Sequence, residues 1–249
     1  MSRYTAEKIQ PLKDHSNKIT AVPVFSSEKL PKIKLAQGFC FNKRLQMDGI
    51  QFLNELPPSC APVAFFDPQY RGVLDKLKYG NEGKSRGKAR SDLPQMTEEI
   101  IHKFIVGISQ VLTPSGHLFL WMDKFHLCSG FSNWLMETQF QVVDMITWNK
   151  KRIGMGYRTR RMSEYIIVLQ KKPCRAKGVW KIHTIPDIWE EDVKRNGHTH
   201  SKPIGLQGKL IEAVSHTGDI VIDPAAGSFS VMEACKQFNR NFLGCDIKG

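Results

Sequence analysis

Two short stretches of this chain carry residue types that can do chemistry at the end of a strand. The first is Asp67-Pro68-Gln69-Tyr70, which follows the apolar run Val63-Ala64-Phe65-Phe66. An aromatic amino group is a poor nucleophile because its lone pair is delocalised into the ring. A carboxylate (Asp67) and a neighbouring peptide carbonyl (Pro68) can accept its two hydrogens and localise that pair on nitrogen. Tyr70 adds a flat face on which a base drawn out of its stack can rest. As a lone tetrapeptide, the stretch equally describes a strand ending in an Asp-Pro turn.

The second stretch is Asp223-Pro224-Ala225-Ala226-Gly227-Ser228, between the strand-like Ile220-Val221-Ile222 and a helical run from Phe229 to Phe238. Gly227 permits close backbone approach, and the helix start offers free N–H groups, a seat for the amino-acid or phosphate end of a nucleoside cofactor. The next strand-like run, Phe242 to Asp246, ends on a carboxylate roughly 20 residues further on, where an acid can bind ribose hydroxyls. On its own this stretch also reads as a tight strand-to-helix turn without a ligand.

The surrounding elements must bring these stretches together. Asp48-Gly49 precedes a helix over Ile50 to Leu56, stopped by Pro57-Pro58. Thr97 caps an amphipathic helix to Leu112, with Glu98 and Glu99 in its first turn. Pro114-Ser115-Gly116 turns the chain into a strand over His117 to Met122, and Phe131 to Glu137 reads as helical. Val142 to Trp148 and Glu164 to Gln170 read as strands, and Pro203 to Ser215 as a helix. Strands alternating with helices imply a doubly wound, mostly parallel α/β sheet covered on both faces, with ligands at the carboxyl ends of its strands. The 249 residues form one domain, with residues 1–35 as a polar, Lys-rich extension.

Composition narrows the class. The chain is 41% hydrophobic, without an apolar run long enough to span a bilayer, and Met1 to Lys18 is too polar for a signal peptide. A cytoplasmic setting follows as the default. The six cysteines form no C-x-x-C pair and lack histidines at zinc spacing, so they read as reduced structural thiols and no metal is expected. His183, His198 and His200 read as surface histidines.

The net charge of +12 points to a polyanionic partner. It is clustered. The Gly-rich stretch from Arg71 to Arg90 holds Lys84, Arg86, Lys88 and Arg90 among others, and reads as a mobile surface loop. Lys150, Lys151, Arg152, Arg158, Arg160 and Arg161 lie between two strand-like runs. Each cluster reads as a solvated face or as a grip on phosphates, and the glycines in both favour the grip.

Taken in order, the motifs resemble the DNA amino-methyltransferases, in the circularly permuted class whose catalytic motif precedes the cofactor motif. Asp67-Pro68-Gln69-Tyr70 resembles that family's Asp-Pro-Pro-Tyr, and Asp48-Gly49 its preceding Gly-Asp element. Trp148-Asn149-Lys150 with Glu164 to Gln170 resembles its paired strands, Lys202-Pro203 its Lys-Pro helix, and Asp223 to Phe229 its Asp-Pro-Phe-Ala-Gly-Ser-Gly turn. The resemblance runs from about residue 36 to the end. Gln69 stands in place of the second proline, Ala225 in place of an aromatic, and Phe229 in place of the second glycine.

The resemblance implies a Rossmann-like methyltransferase sheet with an antiparallel edge pair, S-adenosylmethionine as cofactor, DNA as partner and base flipping. It implies catalytic roles for Asp67, Pro68 and Tyr70. Asp48, Lys202, Asp223, Gly227, Ser228 and Asp246 would bind the cofactor, with Asp246 on the ribose and Asp48 towards the adenine. Pro173 to Thr199 would be a short target-recognition segment, where His183, Trp180, Trp189 and Arg195 could meet DNA unless the tryptophans pack in the core. A small segment of this kind implies a short target sequence, loose specificity or a partner that supplies specificity; a homodimer or a partner subunit is the expected assembly. Adenine N6 is the expected target, because a leading Asp is commoner in the family's adenine enzymes and Ser in its cytosine-N4 enzymes.

Two rival readings stay open on sequence grounds. One is a DNA-binding subunit that kept the fold and lost the cofactor, prompted by Phe229 and by a chain that stops three residues after Asp246, where the family usually adds a helix. The other is a methyltransferase of RNA or small molecules.

Overall fold

Ala61–Phe66 is buried at all six positions and forms strand β2 at the centre of the sheet. An apolar run with no polar alternation suits a parallel strand covered on both faces. The computed structural model describes residues 35, 38–69, 96–154, 158–192 and 202–248. Tyr70 and the 71–90 segment lie outside the described residues, as do most of 1–35, residues 155–157 and residues 193–201.

Among the described residues one sheet of eight strands runs in the order β1-β8-β7-β2-β3-β5-β4-β6. Its strands are β1 (Leu45–Gln46), β2, β3 (Leu112–Met122), β4 (Phe140–Asn149), β5 (Ser163–Lys171), β6 (Ile188–Glu190), β7 (Ile220–Asp223) and β8 (Asn241–Asp246). β5 is antiparallel to both β3 and β4, and every other neighbouring pair is parallel. The antiparallel pair β4–β5 is therefore present but is not the rim, because β6 adds outside β4.

Alternation sorts the strand side chains onto two faces. Phe66, Leu118, Leu120, Ile167, Ile222 and Leu243 pack with helices α1 (Gly49–Glu55) and α2 (Glu98–Val111). Phe65, Phe119, Trp121, Ile166, Val221 and Phe242 pack with α4 (Ile204–Val214) and α5 (Ser230–Gln237). A short helix, α3 (Lys124–Ser129), follows β3.

Three sequence expectations change. The Pro114-Ser115-Gly116 turn is an irregularity inside β3: the strand starts at Leu112, and the register shifts where Ser115 takes a left-handed φ of 61°. Phe131 to Glu137 contains only a 3-10 turn, Ser132–Leu135. The irregular 173–199 stretch supplies β6, and both its tryptophans pack: Trp180 meets the buried His117 edge-on, and Trp189 lies against the α4 face.

Candidate active site at the sheet edge

Because β1, β2, β3, β4, β6, β7 and β8 run the same way, their carboxyl ends share one edge with the start of antiparallel β5. Asp48, Asp67, Asp123, Lys150, Glu164, Asp223 and Asp246 sit at or next to those strand ends. Topology thus gathers residues that are up to 198 positions apart in sequence.

On one side of β2 stands the turn between β7 and α5. Gly227 has a φ of +49°, and nothing lies within 4 Å of where its Cβ would be. A side chain there would be strained, and the surface above the turn is open. The Gly227 N–H donates to Asp246 Oδ2 at 3.1 Å, and the Lys248 N–H donates to Asp246 Oδ1 at 2.9 Å. Ser228 is half-buried beside them. Asp48 caps α1, accepting from the N–H groups of Ile50 and Gln51 at 2.9 and 3.0 Å. It sits close to the turn because Gly49 lets α1 approach the Pro224 carbonyl; a Cβ on Gly49 would come within 2.2 Å of that oxygen.

The Asp223 carboxyl is buried and accepts from the Ala225 N–H at 3.2 Å. Burial pushes its pKa well above the carboxylate range, against the Ala225 hydrogen bond, and the charges of Asp67 and Asp246 raise it further. These three carboxyl groups therefore feel one another.

Phe229 answers the departure seen in sequence. It adopts the left-handed conformation normally left to glycine (φ 58°), yet its ring is fully buried against Phe242, away from the open turn. The aromatic fills the core beneath the glycine turn and leaves the surface above Gly227 open.

On the other side of β2 lies a charge network. The Lys202 ammonium is 3.0 Å from Asp67 Oδ2 and 2.8 Å from Glu164 Oε2. It also sits 4.6 Å from the centroid of the Trp121 ring. The other Glu164 oxygen takes the Lys150 ammonium, which lies over Trp148. Burial alone would raise the Glu164 carboxyl, but Lys202 and Lys150 outweigh it and bring its pKa down to about 2. Burial alone would lower Lys202, but Asp67 and Glu164 hold its ammonium well above the ordinary lysine range.

Sequence reasoning placed Lys202 with the cofactor and missed Glu164 as a site residue. The available signal was a single carboxylate opening an otherwise apolar strand. Glu191 was also missed. Its carboxylate accepts from the N–H groups of Gly205 and Leu206, both at 3.0 Å, and from the Trp189 indole at 2.8 Å. It thereby caps α4, whose own N-cap is Pro203 and has no side-chain acceptor.

The basic residues divide. Lys150 faces inward on Glu164, and Lys151 pairs with Glu190 at 3.2 Å. Arg161 is half-buried over the Phe125 ring. Arg152, Arg158 and Arg160 are exposed on the connection between β4 and β5, at the same sheet edge as Asp67. Lys84, Arg86, Lys88 and Arg90 fall outside the described residues.

An open glycine turn at adjoining parallel strand ends, with a carboxylate on the next strand, is the arrangement of α/β proteins that hold a nucleoside cofactor. The comparisons with known proteins narrow this class. The DNA methylase model for N6 and N4 amino-methyltransferases matches residues 63–249, and the chain belongs to that family. It is 57% identical over 207 residues to Type II methyltransferase M.HhaII of Haemophilus parahaemolyticus, covering 83% of this chain and 91% of that one.

Among solved structures, the fold is similar to that of the M1.HpyAVI–SAM complex (TM-score 0.58, 19% identity, 82% of this chain and 92% of that chain). It is also similar to PvuII DNA methyltransferase, described as cytosine-N4-specific (TM-score 0.61, 13% identity, 82% and 81%). The protein is a DNA methyltransferase, and S-adenosylmethionine is its methyl donor. The site suits that donor: the turn is open above Gly227, Asp246 offers acceptors for hydroxyls, and the carboxylates suit a cationic sulfonium. Among the described residues, no helix is long and apolar enough to cross a membrane, and no group of three or more potential ligands could hold a metal ion.

Proposed function

We propose that the protein methylates adenine N6 in a short DNA sequence as the modification partner of a restriction system. The observation that carries this reading is Asp67 at the carboxyl end of β2, between the glycine turn on one side and Lys202 on the other. S-adenosylmethionine supplies an electrophilic methyl group on a sulfonium. Asp67 and the Pro68 carbonyl accept the two amino hydrogens and aim the nitrogen lone pair, while Tyr70 stacks on the flipped base. When bound, the donor would give up its methyl group to the amino nitrogen and leave as a neutral thioether, and the surplus amino proton would pass by way of Asp67 to solvent. Positioning supplies most of the rate.

Asp223, Gly227 and Ser228 hold the amino-acid end of the donor. Asp246 holds the ribose, and Asp48 lies on the adenine side. Arg152, Arg158 and Arg160 grip phosphates, joined by Lys84, Arg86, Lys88 and Arg90. The choice of adenine rests on the leading Asp67, and cytosine N4 is the competing target. Transfer of a tritiated methyl group to unmethylated DNA, followed by nucleoside analysis, tests it. N6-methyladenine is expected, and N4-methylcytosine without N6-methyladenine would overturn the choice.

A further inference from the structure

We infer that Lys202 is a positioning residue for Asp67, clamping the carboxylate that aligns the amino group, and is not a contact of the methyl donor. The inference rests on Asp67 being the acceptor of the amino hydrogens. Topology separates the two roles. The glycine turn and Asp246 belong to β7 and β8, on one side of β2, whereas Trp121, Glu164 and Lys150 belong to β3, β5 and the end of β4, on the other. Apart from Asp67, every partner found for Lys202 lies on the side away from the turn.

The clamp is itself anchored. Glu164 binds the ammonium at 2.8 Å and is held from behind by Lys150, and the indoles of Trp121 and Trp148 meet edge to face beneath the two lysines. Lys202 leads into α4, whose first turn is fixed by Glu191. A side chain restrained at both ends holds its partner in one direction, which a flexible surface lysine would not do. Without Lys202, the Asp67 carboxylate loses the anchored cation 3.0 Å away that fixes its direction. A carboxylate without that anchor would align the amino hydrogens less well.

The test is Lys202→Met, with Lys202→Arg as the conservative variant. The kcat of Lys202→Met for DNA methylation should fall about a hundredfold, the scale of a 1 Å misplacement. Its dissociation constant for S-adenosylmethionine should stay put, and the acid limb of its kcat–pH profile should move to higher pH. Lys202→Arg should regain most of the turnover. In an Asp67→Asn background, adding Lys202→Met should cost nothing further. Unchanged kcat with weakened donor binding would make Lys202 a cofactor contact and overturn the proposal.

Lys202→Met leaves Glu164 short of one partner, so Lys202→Met/Glu164→Gln controls for folding. It should melt as a folded protein and remain slow. Recovery of turnover in that double variant would assign the loss to the orphaned carboxylate and also overturn the proposal. Full turnover in Asp67→Asn alone would instead refute the reading of Asp67, a distinguishable failure.

Discussion

Asp246 makes two local bonds, to the N–H groups of Gly227 and Lys248. A carboxylate held by two backbone donors is fixed in direction, so its outer lone pairs can meet a diol without first losing side-chain freedom. Asp246→Ala should therefore weaken S-adenosylmethionine binding by roughly 1.5–3 kcal/mol, the range for a hydrogen bond to a charged group. Calorimetry measures this directly, and unaltered affinity removes Asp246 from the donor site. Phe229 teaches a complementary lesson at the same scale. In sequence, an aromatic at a glycine position threatens the cofactor loop. In the fold its ring turns inward onto Phe242, and the cost is a left-handed backbone at a non-glycine residue. Residue type alone did not reveal which way that ring points.

At the scale of elements, most of the sheet was legible, because buried parallel strands read as apolar runs and helices carry their caps. Thr97 accepts from the Ile100 N–H as its position implied, and β2, β7 and β8 fall where the apolar runs lie. What stayed hidden depended on contacts distant in sequence. β6 has only three residues with no apolar alternation, and its pairing with β4 could not be read locally. The Lys202–Asp67 and Lys202–Glu164 pairs span 135 and 38 residues and required the topology first.

Glu191 is another such long-range device, capping α4 from 13 residues before its start. Glu191→Ala should cost about 1 kcal/mol of stability, as for other lost helix caps. It should also lower kcat by loosening the segment that carries Lys202. Chemical denaturation and single-turnover kinetics on the same variant would check both. A variant that loses stability with kcat unaltered would uncouple the cap from the site.

The β4–β5 connection carries the exposed cations. Replacing Arg152, Arg158 and Arg160 by alanine should weaken DNA binding and shrink the log–log salt slope by up to about 0.9 per lost phosphate contact. Donor affinity should not move. A preserved slope would show that these arginines face only solvent.

For the whole molecule, the response of stability to acid involves groups inside the sheet as well as at its functional edge. Midway along β3, His117 is buried at 2% exposure, stacked on Phe119 and against the edge of Trp180, with Nδ1 lacking a hydrogen-bond partner. Burial brings its pKa down from 6.5 to about 4. A group whose folded pKa is lowered in this way is neutral in the folded chain while the unfolded chain already binds a proton. Between pH 6.5 and about 4 the unfolded state therefore binds more protons, and stability falls as the pH falls through that window. At pH 5 the difference in proton binding corresponds to about 2 kcal/mol relative to pH 7. Asp223, whose pKa is raised, changes stability in the opposite sense, so wild-type protein alone does not isolate the histidine. His117→Gln keeps a polar side chain of similar size that cannot titrate. Urea denaturation of both proteins at pH 7 and pH 5 gives the comparison. The wild type should lose about 2 kcal/mol more than His117→Gln on acidification. Equal losses in the two proteins would mean that His117 is not held neutral by the core and that the acid sensitivity arises at another group.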